Sequence, residues 1–246
     1  MSWCDMIADR LRSWHATHNG TKRMHNEDTW VDRPDLGIWA VADGAGGHQA
    51  GELASGMIAE ALGSLPAGLA VPELAGAVRT CVAATHRALR EEAGRRGGNT
   101  MIASTVVVLL THGEHFACLW AGDSRAYLLR DGELRQITKD HSLVQELVDN
   151  GTIAPEAAEQ HPRANIITRA VGADIGELVL DEVGGRLRRG DRFLLCSDGL
   201  CKSVPFQQLA DLSRRDNGVS RPQALIEAAL ALNATDNVTA VTIEVP

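Results

Sequence analysis

Residues 102–138, IASTVVVLLTHGEHFACLWAGDSRAYLLRDGELRQIT, set β-rich runs on either side of the tripeptides HGE and DGE. Glycine in a short polar turn between such runs is the signature of antiparallel hairpins, so this stretch commits the chain to a meander. Helical spacing of apolar residues flanks it, at 50–63 and 73–93 before it and at 141–150, 155–160, 205–213 and 221–232 after it. The segment RRGGNT closes the second of these helices, and 161–176, HPRANIITRAVGADIG, has mixed periodicity and reads as a loop-rich insertion. Further strand signals lie at 36–42 (LGIWAVA), 177–183, 192–197 and in the final TAVTIEV. Helices therefore arrive mostly in pairs between groups of hairpin-linked strands. A doubly wound nucleotide fold would instead alternate one strand with one helix. The expectation is an α+β architecture of packed sheets with helices on their outer faces. With no tandem repeat or low-complexity linker, residues 1–246 read as a single domain.

A chain of 246 residues, 44% hydrophobic, can bury a sizeable core. Its 32 acidic residues outnumber 24 basic ones for a formal charge of -8, which argues against nonspecific binding to nucleic acid. No run approaches the length of a membrane-spanning helix, and MSWCDMIADRLRSWH carries carboxylates where a secretory leader needs an apolar stretch. A cytoplasmic protein without membrane insertion is expected. Five cysteines, none in a CxxC pair, read as reduced and buried or incidental thiols.

Four aspartates stand at the lips of apolar strands: Asp43 after WAVA, Asp123 after CLWAG, Asp198 after FLLCS, and Asp236 before NVTAVTIEV. Each alone could be a helix cap or turn former. Three are followed by small or polar turn residues, as DGAGG, DSR and DGL. Carboxylates converging at one sheet edge repel one another unless cations neutralise them. Oxygen-only ligands favour hard ions such as magnesium or manganese over zinc, and the Gly44 carbonyl could be one such ligand. The glycines of VADGAGGHQAGELAS match neither GxGxxG nor GxxxxGK[ST], so a nucleotide cradle is disfavoured.

Seven segments in order now point to a family: GTKRMHNED (20–28), VADGAGGHQAGELAS (41–55), GNTMIASTVVVLL (98–110), WAGDSRAYLLRDGELRQITKDHSLVQELVDNG (120–151), HPRANIITRAVG (161–172), LLCSDGL (194–200) and TDNVTAV (235–241). From about residue 17 to its end the chain resembles the metal-dependent type 2C (PPM) serine/threonine protein phosphatases, most of all their compact bacterial branch. The resemblance implies a four-layer α-β-β-α sandwich, two mainly antiparallel sheets flanked by helices, with a binuclear Mn²⁺ or Mg²⁺ centre at one end. It implies that Asp43 bridges the two ions, that Asp198 and Asp236 complete the ligands of the first, and that the Gly44 carbonyl joins the second. Glu27 and Asp28 are expected to hold metal-bound waters, Asp123 with Asp198 a third, labile ion. Arg23 is expected to grip the substrate phosphate and Asn237 to support the ligand loop. Residues 141–176 correspond to a flap that contacts the phosphoprotein. The partners implied are phosphorylated proteins and a cognate serine/threonine kinase, with the phosphatase monomeric.

These roles make chemical sense. A phosphate ester repels hydroxide, and two ions about 3.5–4 Å apart shield it while lowering the pKa of water. The guanidinium of Arg23 offers a planar fork that fits a phosphoryl group. Other chemistries fare worse. The Cys-x5-Arg spacing of cysteine phosphatases occurs twice, Cys4 to Arg10 and Cys81 to Arg87, but without glycines to open the loop, and the second lies in a helical run. Ser197 lacks a GxSxG elbow. A small-phosphoester phosphatase and an inactive scaffold remain as alternatives. Ala45 stands where many eukaryotic relatives carry a histidine after the Asp-Gly pair, so a metal-bound water is expected to protonate the leaving oxygen. His48 reads as a residue of the loop before the helix, and His141 as a structural support for the flap.

Overall fold

The computed structural model describes residues 11–46, 50–97, 100–158, 160–173, 176–215 and 220–246. The reading of the N-terminal leader, Cys4 with Arg10, and His48 lie outside the described residues. Eleven described strands make two antiparallel sheets. The five-stranded sheet runs β1 (Arg12–His18), β11 (Val238–Glu244), β10 (Arg192–Cys196), β7 (Arg125–Arg130), β8 (Glu133–Gln136). The second runs β2 (Asp28–Arg33), β3 (Ile38–Ala45), β5 (Val106–His112), β6 (His115–Ala121), β9 (Asp181–Arg186), with β4 (Ala103–Ser104) added on β3.

The hairpins form where the turns require them. Asp131 and Gly132 both take positive φ (53° and 78°) between the paired Arg130 and Glu133, which is the two-residue turn whose twist suits adjoining strands. Between His112 and His115 only the first turn residue, Gly113, takes a positive φ (57°), the other two-residue hairpin turn.

Alternation along the strands sorts side chains into three apolar layers. On β3, Ile38, Ala40 and Ala42 face helices α1 (Ala50–Gly63) and α2 (Val71–Arg96). Trp39 and Val41 face the other way, into the space between the sheets, where they meet Phe193 and Leu195 of β10 and Val241 and Ile243 of β11. Leu194, Cys196, Val238 and Ala240 turn outward to α5 (Asp198–Cys201), α6 (Phe206–Arg214) and α7 (Arg221–Ala231). The result is the four-layer α-β-β-α sandwich. Helix α2 starts with Glu73 accepting the Ala70 N–H at 3.1 Å and stops at Gly97 (φ 73°).

Some expected boundaries move. The first strand does not end at Asp43 but continues through Ala45, because Gly44 and Ala45 pair with Ser104 and Ala103. The strand expected at 177–183 forms at Asp181–Arg186. Leu178 and Leu180, which suggested it, are buried against the helix-side core ahead of the ladder. Strands β1 and β2 are the edges of their sheets and carry Arg, His and Asp, polar residues that blur an apolar alternation.

The insertion carries α3 (Leu143–Asp149) and α4 (Pro155–Ala158). Ser142 caps α3 by accepting the Gln145 N–H at 3.3 Å. The isolated bridge Ser142 to Ile167 closes the segment on itself, and the bridge Ser104 to Val171 fastens it to the body.

Candidate active site

Antiparallel pairing decides which residues meet. It puts the C-terminal end of β3 beside the N-terminal end of β2, and the C-terminal end of β10 beside the N-terminal end of β11. All four ends lie at one edge of the sandwich, and the β6–β7 passage between sheets adds Asp123. Asp28 and Asp43 are direct register partners, so their side chains share a face. Asp43 continues the Trp39, Val41 phase and therefore points between the sheets.

A cleft of about 440 Å³ opens at this edge. Arg23, Glu27, Asp43, Gly44, Asp198 and Asp236 line it, as does Ala45. Asp28 and Asp123 sit behind it, 6% and 1% exposed. The structure thus brings every sequence-nominated side chain to one place, with Asn237 directly beneath.

The backbone here is fixed by close approach. A Cβ on Gly44 would lie 2.2 Å from the Gly51 oxygen and 2.7 Å from the Glu27 oxygen. One on Gly199 would lie 1.9 Å from the Asn237 oxygen. The need for glycine at position 44 is met by packing alone, whatever its carbonyl also does. Asp43 is held by its main chain: its N–H donates to Thr105 Oγ1 (3.1 Å), and its oxygen accepts from Thr105 N–H and Ser104 Oγ, both at 2.9 Å. Asn237 accepts the Glu27 N–H at 2.9 Å and donates to the carbonyls of Asn19 (3.1 Å) and His25 (2.9 Å). It ties the 19–27 loop, with Arg23 and Glu27, to the start of β11.

Asp28 bolts the two sheets together. Its Oδ2 accepts from Ser197 Oγ (2.8 Å) and Thr239 Oγ1 (2.7 Å), both from the opposite sheet, while Oδ1 is buried with no hydrogen-bond partner among the described residues. Burial, then the nearby charges of Asp198 and Asp236, outweigh these two bonds and push its pKa up to about 7. Burial and four neighbouring aspartates raise Asp43 well above the carboxylate range. Glu27 is raised too, chiefly by burial.

Two cations answer this charge. Arg23 is 54% exposed and forks onto Asp236, with Nε and Nη2 each 2.9 Å from a carboxylate oxygen. Lys202, which the sequence reading did not single out, donates from Nζ to Asp123 Oδ2 and Asp198 Oδ2, both at 2.8 Å. Burial would lower its pKa, but these two carboxylates raise it. The signal for it was available: Lys202 follows Asp198 by four residues, one helical turn.

An oxygen-only set of mutually repelling carboxylates, with oxygens on Asp28 and Asp123 that have no hydrogen-bond partner among the described residues, suits hard divalent cations. Among the described residues no group of three His, Cys, Asp or Glu side chains closes tightly enough to hold an ion. Arg23 engages both oxygens of Asp236, and Lys202 engages one oxygen of Asp198.

The rival nucleophiles are occupied elsewhere. Ser197 is buried and spends its hydroxyl on Asp28. Cys81 lies within α2, and burial pushes its thiol up to about 11. His141 takes the Gly122 N–H on Nδ1 at 3.1 Å, and its Nε2 lies 3.3 Å from Asp181. Its ring stacks on Trp120, so it fastens the base of the insertion.

Residues 17–226 match the family model described as protein phosphatase 2C. The chain is similar to the serine/threonine protein phosphatase PstP of Mycobacterium tuberculosis, 39% identical over 239 residues, which cover 96% of this chain and 45% of PstP. It thus spans less than half the length of that curated relative. Among solved structures it is similar to PppA, a key regulatory component of T6SS in Pseudomonas aeruginosa, at 42% identity, a TM-score of 0.89, and coverage of 95% and 97% of the two chains. It is likewise similar to the catalytic domain of PstP in complex with two manganese ions, at 36% identity, a TM-score of 0.81, and coverage of 95% and 97%.

Proposed function

The chain belongs to the protein phosphatase 2C family of serine/threonine phosphatases, and from that premise we propose that residues 1–246 are one catalytic domain that removes phosphate from phosphoserine and phosphothreonine on proteins, using a metal-activated water and opposing a bacterial serine/threonine kinase. The observation that carries the proposal is the convergence of Asp43, Asp198 and Asp236 on a cleft that also holds Arg23.

Asp43, the Gly44 carbonyl, Asp198 and Asp236 are the groups that would hold two Mn²⁺ or Mg²⁺ ions, with Glu27 and Asp28 behind them orienting water. Bound there, such ions shield the phosphoryl oxygens and lower the pKa of water. The chain's own residues do the rest. Arg23 leaves Asp236 and presents its fork to the phosphoryl group, an exchange its exposed position permits. Asn237 keeps the Arg23 loop in register with Asp236. Ala45 has no proton to give, so the leaving oxygen takes its proton from water in the cleft. Asn165 and Ile167 bring the insertion to the cleft's lip, where a phosphoprotein segment would pass. We take the enzyme to be a cytoplasmic monomer; among the described residues no helix is long and apolar enough to cross a membrane.

Rates on a phosphothreonine peptide, a sugar phosphate and a nucleotide, with Mn²⁺ and with Mg²⁺, test the reading. The peptide should be preferred. Preference for a small ester would reassign the substrate, and absence of both hydrolysis and Mn²⁺ binding would make the protein a scaffold. Phosphoproteomes of cells carrying the wild type and Asp198→Ala would then identify the targets.

A further inference from the structure

Family resemblance implies a third, labile ion held by Asp123 and Asp198. This chain puts a side chain in that position. Lys202 Nζ lies 2.8 Å from Asp123 Oδ2, 2.8 Å from Asp198 Oδ2 and 3.4 Å from Asn165 Oδ1. An ammonium has three N–H donors and no acceptor, so three oxygens use all of them. Local structure holds the group there: the Lys202 N–H donates to the Asp198 carbonyl at 2.8 Å, closing the single turn of α5, which sets the two side chains on one face. The side chain is 27% exposed against 1% for Asp123, whose Oδ1 is buried without a partner among the described residues.

We propose that the ε-ammonium of Lys202 is the resident cation of the Asp123–Asp198 pair, replacing a third divalent ion and linking those carboxylates to the insertion through Asn165. Two cations cannot share the position. A divalent ion 2 to 2.6 Å from the same oxygens would sit on the ammonium, and both would repel at that range. Losing Lys202 without replacement leaves a deeply buried carboxylate with no counter-charge, a strongly unfavourable state that an ion from solution would relieve. Asp198 keeps Oδ1 for the main centre. The chain thus has a covalently tethered cation where the position would otherwise depend on free metal concentration.

The proposal rests on the metal-dependent reading of the cleft, and its test counts ions rather than turnover. Mn²⁺ bound per chain is measured by equilibrium dialysis, with free Mn²⁺ read by electron paramagnetic resonance, for wild type, Asp123→Asn, Lys202→Ala and Lys202→Ala with Asp123→Asn. Lys202→Ala should bind one more Mn²⁺ than wild type, and the double variant should return to the wild-type count. Asp123→Asn alone should leave the count unchanged, a result that stands even if Lys202→Ala fails to fold. Equal counts for wild type and Lys202→Ala, or one ion fewer in Asp123→Asn, would overturn the proposal. Failure of the phosphatase reading is separate: it appears as a lack of phosphopeptide hydrolysis by wild type, whatever the difference in counts.

Discussion

The strand-end rim and the 141–176 insertion face the same cleft but are built on opposite plans. At the rim, Asp28 and Asp43 are carried on paired strands and Asp198 and Asp236 stand just beyond the ends of the paired β10 and β11, backed by glycines packed against backbone at contact distance. Among its described residues the insertion has two short helices, one isolated bridge within itself and one to the body, and its α4 buries no side chain. Reaction at phosphorus needs oxygens placed to a fraction of an ångström, whereas accommodating varied protein segments needs a surface that can change without disturbing them. The largest expected effect lies on the rim. Asp198→Asn, or chelation of the wild type with EDTA, should lower phosphopeptide hydrolysis by more than the ~10²-fold that even outer partners of a metal site cost, and Mn²⁺ should reverse only the chelation. Activity of Asp198→Asn within tenfold of wild type would move the chemistry away from the rim.

Protons separate the two regions next. Asp28 and Asp43 bind protons more tightly in the folded chain than in the unfolded one, which releases them near pH 4. Between pH 4 and about 7 the unfolded state therefore gains charge first, and metal-free stability should fall as pH rises, by up to about 1.4 kcal/mol per pH unit for each proton. The base of the insertion has the opposite sign. Burial opposes ionisation of Asp181, but Arg169 and His141 more than offset it and lower its pKa, while burial and then Arg169 lower His141. The stability these two groups contribute is present at neutral pH and is lost on acidification, through His141 below about pH 6.5 and then through Asp181 below about pH 4. Urea melts of EDTA-treated protein from pH 4 to 8 read the sum, and Asp28→Asn should flatten the decline above pH 4. A wild-type curve that rises steadily to pH 7 would contradict the charge-strained rim.

Much of this contrast could be read in the sequence because of how each region is specified. A rim carboxylate follows an apolar run and precedes a small turn residue, so Asp43, Asp123 and Asp198 identified themselves as a set. The helix at 50–63 was legible to the residue, since its buried Ala54, Ile58 and Leu62 recur at the helical period. Other features depend on partners distant in sequence. Strand β1 is recognisable through its pairing with β11 at the far end of the chain, from Arg12 with Glu244 to His18 with Val238, and its own alternation is diluted by edge polarity. That Asp28 joins the sheets depends on Ser197 and Thr239, and that Lys202 is a counter-ion depends on Asp123. No local pattern contains such pairs.

Glycine substitutions sharpen the comparison with a smaller effect. Gly44→Ala forces a Cβ to within 2.2 Å of the Gly51 oxygen, a backbone atom that cannot swing aside, whereas nothing lies within 4 Å of a Cβ at Gly176 in the insertion. Overpacking of this kind costs about 1–3 kcal/mol, which in a chain of this size lowers Tm by roughly 2–12 °C. Gly176→Ala should shift Tm by less than about 2 °C, in keeping with a surface change within ±0.5 kcal/mol. Equal shifts for the two variants would mean that the rim is no more tightly packed than the insertion.

The smallest expected effect is on the insertion and concerns binding rather than chemistry. Ile166 is 46% exposed between Asn165 and Ile167, the two residues that bring the insertion to the cleft, and its carbonyl accepts the Leu143 N–H at 2.9 Å. The main chain thus holds residue 166 in place while its side chain stays in solvent, free to touch whatever enters. Truncation to alanine removes apolar contact worth about 0.7–1.4 kcal/mol, since a side chain half in water gains only part of its burial on contact. Ile166→Ala should therefore raise KM for a phosphopeptide by roughly 3- to 10-fold with kcat within about twofold, and leave both constants unchanged for a small aryl phosphate that does not reach the insertion. A fall in kcat on both substrates would show that residue 166 acts on the rim itself, and the division between a rigid chemical edge and an adaptable binding edge would fail at that point.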